Sequence, residues 1–254
     1  MTRIIAVHSY RGGTGKTHFS ANLATTLARH GKRVGIVDAD VPSPGIHNLF
    51  SVDADSAAHT LNHFLWGDAS IESAAVEVTE SAGLPAGGGR LFLVPSSTKT
   101  DDIARILKDG YDVRRLNDGL RALAKALELD YLFIDTHPGL SKETFLSMAI
   151  AHHVVLVLRP DKQDYQGTAV TLDVAQQLRV RNISLVVNKV HRGLDMAELR
   201  TKIEQTYAVP VAGLFPLSED VARLASGGVF CSRHLDHPIS RELEHVAAGI
   251  LSAT

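Results

Sequence analysis

Short runs of aliphatic and β-branched residues recur along the chain, and helical patterns lie between most of them. The runs are Ile4 to Val7, Val34 to Val37, Leu91 to Val94, Tyr131 to Ile134, Val154 to Leu158, Leu185 to Val187 and Val211 to Phe215. Runs of this length predict buried strands, and the patterns between them predict helices. Their alternation favours an α/β fold, namely a doubly wound, mostly parallel sheet with helices on both faces in three layers. Ligands of such sheets bind at the carboxyl ends of the strands.

The first helical pattern has the sharpest boundaries. It opens at Gly15 and stops at His30-Gly31, where glycine suits the left-handed position that follows a helix. The stretch from residue 51 to about 90 is less regular. Trp66-Gly67-Asp68 ends one predicted helix, and the Gly-rich run 85–89 predicts an exposed loop before the next strand. We see no repeat and no linker, so residues 1–254 are predicted to form one domain.

Composition narrows the class of protein. Of 254 residues, 44% are hydrophobic and 21% are charged, which is typical of a globular protein with a sizeable core. The net charge of −2 gives no overall field that would draw the chain to nucleic acid or anionic lipid. A single cysteine, Cys231, excludes an internal disulfide and fits a reducing compartment. With no signal-peptide pattern and no apolar run of about 20 residues, we expect a soluble cytoplasmic protein.

A glycine-rich loop joins the first strand to the first helix. It contains Gly12, Gly13, Thr14, Gly15, Lys16 and Thr17, and the next residue is His18. Glycines let the backbone approach an anion closely, and the helix N-terminus offers free N–H groups to phosphate. Lys16 would contact the β- and γ-phosphates, and the Thr17 hydroxyl would ligate Mg²⁺. The loop therefore predicts ATP and Mg²⁺ as cofactors, with positions 12 to 18 as the binding set.

The loop departs from the strict G-x-x-x-x-G-K-[ST] pattern, because Tyr10 stands where the first glycine is expected. The remainder, Arg11 to Thr17, resembles the deviant P-loop of the MinD/ParA family of dimeric ATPases. In that family the residue at the place of Arg11 is usually a lysine that reaches the phosphates of the partner subunit. The resemblance implies the same contact for Arg11, whose guanidinium keeps the positive charge. A salt bridge within its own subunit is the alternative.

The resemblance also assigns roles to carboxylates that follow two strands. Asp38 and Asp40 open a segment, residues 38–45, that corresponds to switch I of the family. There Asp40 helps to position the attacking water and Asp38 lies near the metal; a capping or solvated turn is the alternative. Asp135 ends an apolar strand as a Walker B aspartate does, and with Thr17 it would hold Mg²⁺.

Residues 136–139 correspond to switch II. Gly139 would sense the γ-phosphate through its N–H. His137 is expected to be a loop histidine whose hydrogen bonds are met within the protein, rather than a catalytic group. On the base side, Asn188 is implied to meet the purine edge, with Pro216 and Leu217 beside it.

The implied function is a molecular switch that hydrolyses ATP. Lys16, Asp40 and Arg11 form the predicted catalytic set. Two ATP molecules would be sandwiched in a homodimer, hydrolysis would be slow and stimulated by a protein partner, and the dimer would position or regulate a cellular cargo. The alternative is a non-hydrolysing, nucleotide-sensing scaffold that recruits partners in its ATP-bound state. A metabolic ligase is a third reading, for which the sequence shows no small-molecule pocket.

Several relatives and surfaces are less favoured. Nitrogenase iron protein and the tail-anchored-protein targeting ATPases need paired cysteines, and the bacterial tyrosine kinases carry a C-terminal tyrosine cluster, whereas the last tyrosine here is Tyr207.

The segment from Ile239 to Ala253 has too little positive charge for a membrane anchor and is expected to pack as a helix. Cys231, His234 and His237 are too few ligands for zinc. Non-specific DNA binding and scattered solvated charges both remain open for five basic residues: Arg179, Arg181, Arg192, Arg200 and Lys202.

Overall fold

The computed structural model describes residues 1–252, and its strands and helices alternate as the apolar pattern predicts. Eight strands occur in this range: β1 (Arg3–His8), β2 (Arg33–Ala39), β3 (Val76–Glu77), β4 (Arg90–Val94), β5 (Tyr131–Thr136), β6 (His153–Leu158), β7 (Ile183–Val190) and β8 (Val211–Pro216). The first half of the described chain holds α1 (Lys16–Arg29), α2 (Ile46–Leu49), α3 (Leu61–Trp66), a 3-10 turn (Glu72–Ala74), α4 (Thr100–Asp109) and α5 (Val113–Ala126). The second half holds α6 (Lys142–Ile150), α7 (Lys162–Gln177), α8 (Met196–Tyr207), α9 (Glu219–Leu224), α10 (Phe230–Arg233) and α11 (Pro238–Ser252).

The strands form one sheet in the order β3-β4-β2-β5-β1-β6-β7-β8. All pairs are parallel except β3 with β4. From β1 the chain first builds the side of the sheet that holds β2 and β4, and later the side that holds β6, β7 and β8. In such sheets the ligand crevice lies at the carboxyl ends of the central strands, where the connections change direction. All seven predicted strands are present. The two-residue β3 was not predicted, because so short a segment carries no alternation that a sequence pattern can show.

Helices cover both faces of the sheet, as predicted. Alternate residues of β1 belong to different sides: Ile5 and Val7 pack with α1 and α11, whereas Ile4 and Ala6 pack with helices on the opposite face. This is the period-two alternation of a strand buried on both faces. The first helix runs from Lys16 to Arg29 with Gly31 in the left-handed region at φ 78°, so its predicted ends are confirmed.

The C-terminal helix α11 is packed against the protein. Ile239, Leu243, Val246 and Ile250 are buried on the side that meets α1 and β8. Its apolar face is therefore occupied by the core, in agreement with a packed helix rather than a membrane anchor; Ala253 lies outside the described residues. None of the helices within residues 1–252 combines the length and apolarity that a membrane crossing requires.

Candidate functional site

The carboxyl ends of β1, β2 and β5 bring the predicted motifs together. These three strands are adjacent, with β5 hydrogen-bonded to both others. The glycine loop follows β1, and the register places Asp38 beside Asp135 and Ala39 beside Thr136. Residues that are about 100 positions apart in the sequence therefore meet at one edge of the sheet.

The glycine loop has the backbone of an anion cradle. Gly13 and Gly15 have φ of 76° and 91°, a region that favours glycine, and a Cβ at Gly15 would overlap the Asn188 amide. Gly15 caps α1, and no described side chain caps this end or places an acidic residue in its first turn. The first N–H groups of α1 are thus left for an external anion. The Thr14 hydroxyl is also buried without a hydrogen-bond partner among residues 1–252.

Below the loop, a group of polar side chains converges on Asp135. Lys16 Nζ lies 3.0 Å from Asp135 Oδ1, while the Thr17 and Ser20 hydroxyls each donate to the carboxylate at 2.8 Å. The Lys16 side chain is 6% exposed and that of Asp135 1%, so the charges compensate each other in a buried place. A threonine hydroxyl beside a carboxylate is an oxygen donor set that suits Mg²⁺. Ser20 was not predicted, although its position one turn after Lys16 on the same helix face was a usable signal.

Asp38 lies next to this group and is fully buried. Burial, and then the neighbouring Asp135, raise the pKa of Asp38 to about 7, against the opposing effect of Lys16. Its carboxylate accepts from the backbone N–H of Asp40 at 3.2 Å and of Gly45 at 3.1 Å. In this structure Asp38 therefore holds the switch I loop in shape.

Asp40 and His137 connect the two switch segments. His137 Nδ1 lies 2.6 Å from Asp40 Oδ1. In switch II, the Gly139 N–H donates to Ser9 O at 3.0 Å, so the donor predicted to sense phosphate is held by the glycine-loop strand here. His137 was expected to be a satisfied loop histidine, and its partner could not be read from the sequence.

The end of β7 is tied to the glycine loop. The Asn188 amide donates to Thr14 O at 2.8 Å, and Lys189 Nζ donates to Gly13 O at 2.8 Å. Lys189 has φ of 57°, an uncommon backbone region for a lysine, at an irregularity in the β7–β8 pairing. One of the two N–H donors of Asn188 is thus used by Thr14 O, and its Oδ1 accepts from the Lys189 N–H at 2.8 Å. The contact of the Lys189 side chain was not predicted, because nothing in the local sequence marks a bulge.

A cavity of about 280 Å³ opens beside Asn188. Pro216 and Leu217 line it, as the resemblance implied, together with His18 and Phe19 of α1. Burial and then Lys189 lower the pKa of His18, which favours the neutral imidazole. A mostly apolar cavity with an amide and an imidazole in its lining is suited to a flat heterocycle.

Arg11 is paired within its own subunit in this structure. Its guanidinium lies 3.6 Å from Asp161 Oδ1 and 3.5 Å from Asp164 Oδ1, at the start of α7. The Arg11 side chain is 40% exposed. A contact with a second subunit would require Arg11 to leave these carboxylates.

The other predicted positions lie apart from the loop. The Cys231 thiol is buried against Thr26 and Asn22 of α1, whereas the rings of His234 and His237 pack on Phe230. Residues 1–252 contain no group of three histidine, cysteine or acidic side chains placed to hold a metal ion.

Among the basic candidates for DNA, Arg200 is held by Val211 O and by Glu204 and Glu242. This leaves four of the five predicted residues for such a patch.

A doubly wound sheet with a glycine-rich cradle before α1, and with an aspartate on the adjacent strand that contacts the loop lysine and threonine, is typical of the class of P-loop nucleoside triphosphatases. More narrowly, the chain belongs to the ParA family, whose model, described as NUBPL iron-transfer P-loop NTPase, matches residues 1–251. The predicted membership of the MinD/ParA family is thereby confirmed.

Individual relatives agree with this assignment. An uncharacterized ATP-binding protein of Methanocaldococcus jannaschii is 28% identical over 255 residues, covering 100% of this chain and 89% of the relative. The septum site-determining protein MinD of Synechocystis is 26% identical over 219 residues, covering 85% and 76% of the two chains. Among solved structures, MinD of Pyrococcus horikoshii in complex with Mg-ADP has a TM-score of 0.80 at 22% identity, covering 98% of this chain and 96% of that one. This last likeness shows the fold.

Proposed function

We propose that this protein is an ATPase switch that binds ATP with Mg²⁺, dimerises in that state and hydrolyses ATP slowly until a protein partner stimulates it. The observation that carries the proposal is the buried group of Lys16, Thr17, Ser20 and Asp135 directly beneath an uncapped helix N-terminus. Lys16 needs only to turn from Asp135 to a phosphate, while Thr17 and Asp135 provide oxygens for Mg²⁺. The metal would neutralise charge on the phosphates and orient them.

The remaining roles follow the position of each side chain. The backbone N–H groups from Gly12 to Thr17 and position 18 would hold the phosphates, and the cavity beside Asn188 would take the adenine. Asp40, at the end of the strand next to β5, would orient the attacking water. Arg11 would contact the nucleotide of the partner subunit once it is free of Asp161 and Asp164. We place all of residues 1–254 in one ATPase domain.

Relatives of this chain include MinD proteins and an iron–sulfur cluster carrier. The environment of Cys231 favours the MinD-like group for this chain. An iron–sulfur cluster shared by two chains needs exposed thiolates from both, but Cys231 is 1% exposed and burial raises the pKa of its thiol. This argues for a MinD-like role in positioning or regulating a cellular cargo, in which the ATP-bound dimer is the useful state.

Nucleotide titration calorimetry on Lys16→Ala tests the proposal. Removing the ammonium should abolish measurable ATP binding, whereas Lys125→Ala, on the exposed side of α5, should bind as the wild type does. Asp40→Ala should keep ATP affinity and lengthen the life of the dimer. Unchanged ATP affinity in Lys16→Ala would refute the site.

Light scattering with ADP, ATP and a non-hydrolysable analogue, run beside phosphate release, tests the switch. Dimers with ATP that revert to monomers as phosphate appears support it. Stable ATP-dependent dimers without phosphate release would instead establish the non-hydrolysing scaffold.

A further inference from the structure

Asp40 and His137 occupy equivalent places at the ends of two neighbouring strands. In the parallel register of β2 and β5, Asp38 pairs with Asp135 and Ala39 with Thr136. Asp40 and His137 are the next residues on each strand, the first pair beyond the ladder. Their approach therefore follows from the sheet itself, and it ends in a hydrogen bond of 2.6 Å.

The backbone on each side of this hydrogen bond is held by contacts of its own. On the His137 side, the His137 carbonyl accepts from the Thr144 hydroxyl at 3.3 Å, and the Gly139 N–H is bound to Ser9 O. On the Asp40 side, the backbone N–H of Asp40 donates to Asp38 Oδ1 at 3.2 Å. Both side chains thus project from held backbones, and the hydrogen bond between them sets the orientation of the Asp40 carboxylate.

The carboxylate of Asp40 depends on this contact. Among residues 1–252, no hydrogen bond other than that from His137 reaches its side-chain oxygens. An ionised carboxylate accepts hydrogen bonds only, so His137 Nδ1 carries the hydrogen and donates it. Charge-assisted bonds of this kind are short and directional. One oxygen of Asp40 is therefore committed to His137 while the other stays free to meet a water molecule.

We infer that His137 is a positioning residue for hydrolysis, which fixes the Asp40 carboxylate through its Nδ1–H and so couples switch II to switch I. This inference rests on the proposed ATPase function, because it gives Asp40 the water-orienting role. His137 itself need not touch the nucleotide. Its contribution is to turnover and not to ATP binding, since neither residue belongs to the glycine loop.

Two amide variants separate this role from a general structural one. In asparagine the amide nitrogen is as many bonds from Cα as Nδ1 of histidine, whereas glutamine carries its amide nitrogen near the place of Nε2. His137→Ala should lower kcat by about ten-fold or more, because small losses of position are costly in catalysis, and change KM by less than about two-fold. His137→Asn should restore most of kcat, and His137→Gln should behave as alanine does.

The kinetic result has two contrary outcomes. If asparagine is as impaired as alanine, or if all three variants turn over at the wild-type rate, His137 does not position Asp40. Thermal unfolding of each variant shows whether the loss is one of folding, and ATP titration confirms that the binding site is intact.

A second measurement does not depend on turnover. In protein labelled with ¹⁵N-histidine, long-range ¹H–¹⁵N spectra at a mildly alkaline pH report which ring nitrogen holds the hydrogen. His137 should show the Nδ1–H form in the wild type and lose this preference in Asp40→Ala, with His245→Asn identifying an unrelated exposed signal. If the wild type has no ATPase activity, the proposed function fails while the spectra still test the hydrogen bond. An Nε2–H form in the wild type would overturn the inference itself.

Discussion

His8 is a fully buried histidine at the end of β1, directly before the glycine loop. The Thr136 hydroxyl donates to Val7 O at 3.0 Å, so it must accept from His8 Nδ1, which lies at 2.8 Å. The imidazole is therefore the Nδ1–H form, and Nε2 is left as a buried acceptor without a partner in the described part of the chain. Burial and then Lys16 lower the pKa of His8 to about 3.

The lowered pKa of His8 predicts a loss of stability in mild acid. The folded state takes up this proton near pH 3, whereas the unfolded chain does so near its ordinary value of about 6.5. The contribution of neutral His8 to the free energy of unfolding is therefore fully present above about pH 6.5. It falls as the pH drops from there toward 3, by up to about 1.4 kcal/mol per pH unit. His8→Asn keeps a donor for Thr136 and should have a shallower dependence in urea unfolding between pH 7.5 and 4.5.

His245→Asn, at an exposed position of α11, is the matched control and should keep the wild-type slope. The slope should be reduced rather than abolished in His8→Asn, because burial also lowers the pKa of His153, to about 4. Equal slopes in wild type and His8→Asn would show that His8 is protonated, or its site hydrated, at neutral pH.

At the residue scale, side-chain roles that belong to a local motif could be predicted from the sequence. Contacts between segments that only the strand order brings together could not. Lys16 and Thr17 follow from the glycine loop, and Asp135 from its place at the end of an apolar strand. The bond from Lys189 to Gly13 O and the bond from His137 to Asp40 join segments far apart in the chain. Neither pair of residues has a characteristic spacing along the chain, so no sequence motif marks it.

Among the elements, α7 is bound to the glycine loop through a helical glycine. The ring of Tyr10 packs directly on Gly167, and a Cβ there would overlap the ring. Helix propensity alone would favour alanine at this position by about 1 kcal/mol. The strands themselves were predictable from their apolar runs, but this contact was not, because Tyr10 was noticed only as a missing glycine of the phosphate loop.

Gly167→Ala should therefore destabilise the protein, by about 1–3 kcal/mol as in other overpacked sites. In a Tyr10→Gly background the same change should become neutral or stabilising, which a double-mutant cycle from urea unfolding measures. Gly249→Ala in α11, where the added carbon would have no described atom within 4 Å apart from the neighbouring residues and backbone of its own helix, should stabilise by about 0.5–1 kcal/mol. Additive effects at positions 10 and 167 would mean that the ring moves away at little cost.

At the scale of the whole molecule, Arg11 has two alternative sets of partners: carboxylates of its own subunit and, under the proposed function, phosphates bound by a second subunit. Arg11 and Arg159 share the carboxylates of Asp161 and Asp164, so a monomer keeps Arg11 on its own surface. The Arg11–Asp161 pair is exposed on both sides, and such a pair is worth about 0.2–1 kcal/mol, which the phosphates of a second subunit could readily exceed. Under the proposed function, the balance between these two sets of partners would set the nucleotide concentration at which dimers form.

Asp161→Asn should shift this balance while keeping the helix cap. Asp161 caps α7 by accepting from the N–H groups of Gln163 and Asp164, and asparagine is an equally good N-cap. Loss of its charge should lower the concentration of a non-hydrolysable ATP analogue needed for half-maximal dimerisation by up to about five-fold, the factor equivalent to about 1 kcal/mol. Arg11→Ala should bind the analogue and remain monomeric in light scattering. If Arg11→Ala forms dimers at the wild-type concentration, Arg11 makes no contact across the interface, and the pairing with Asp161 and Asp164 is its whole function.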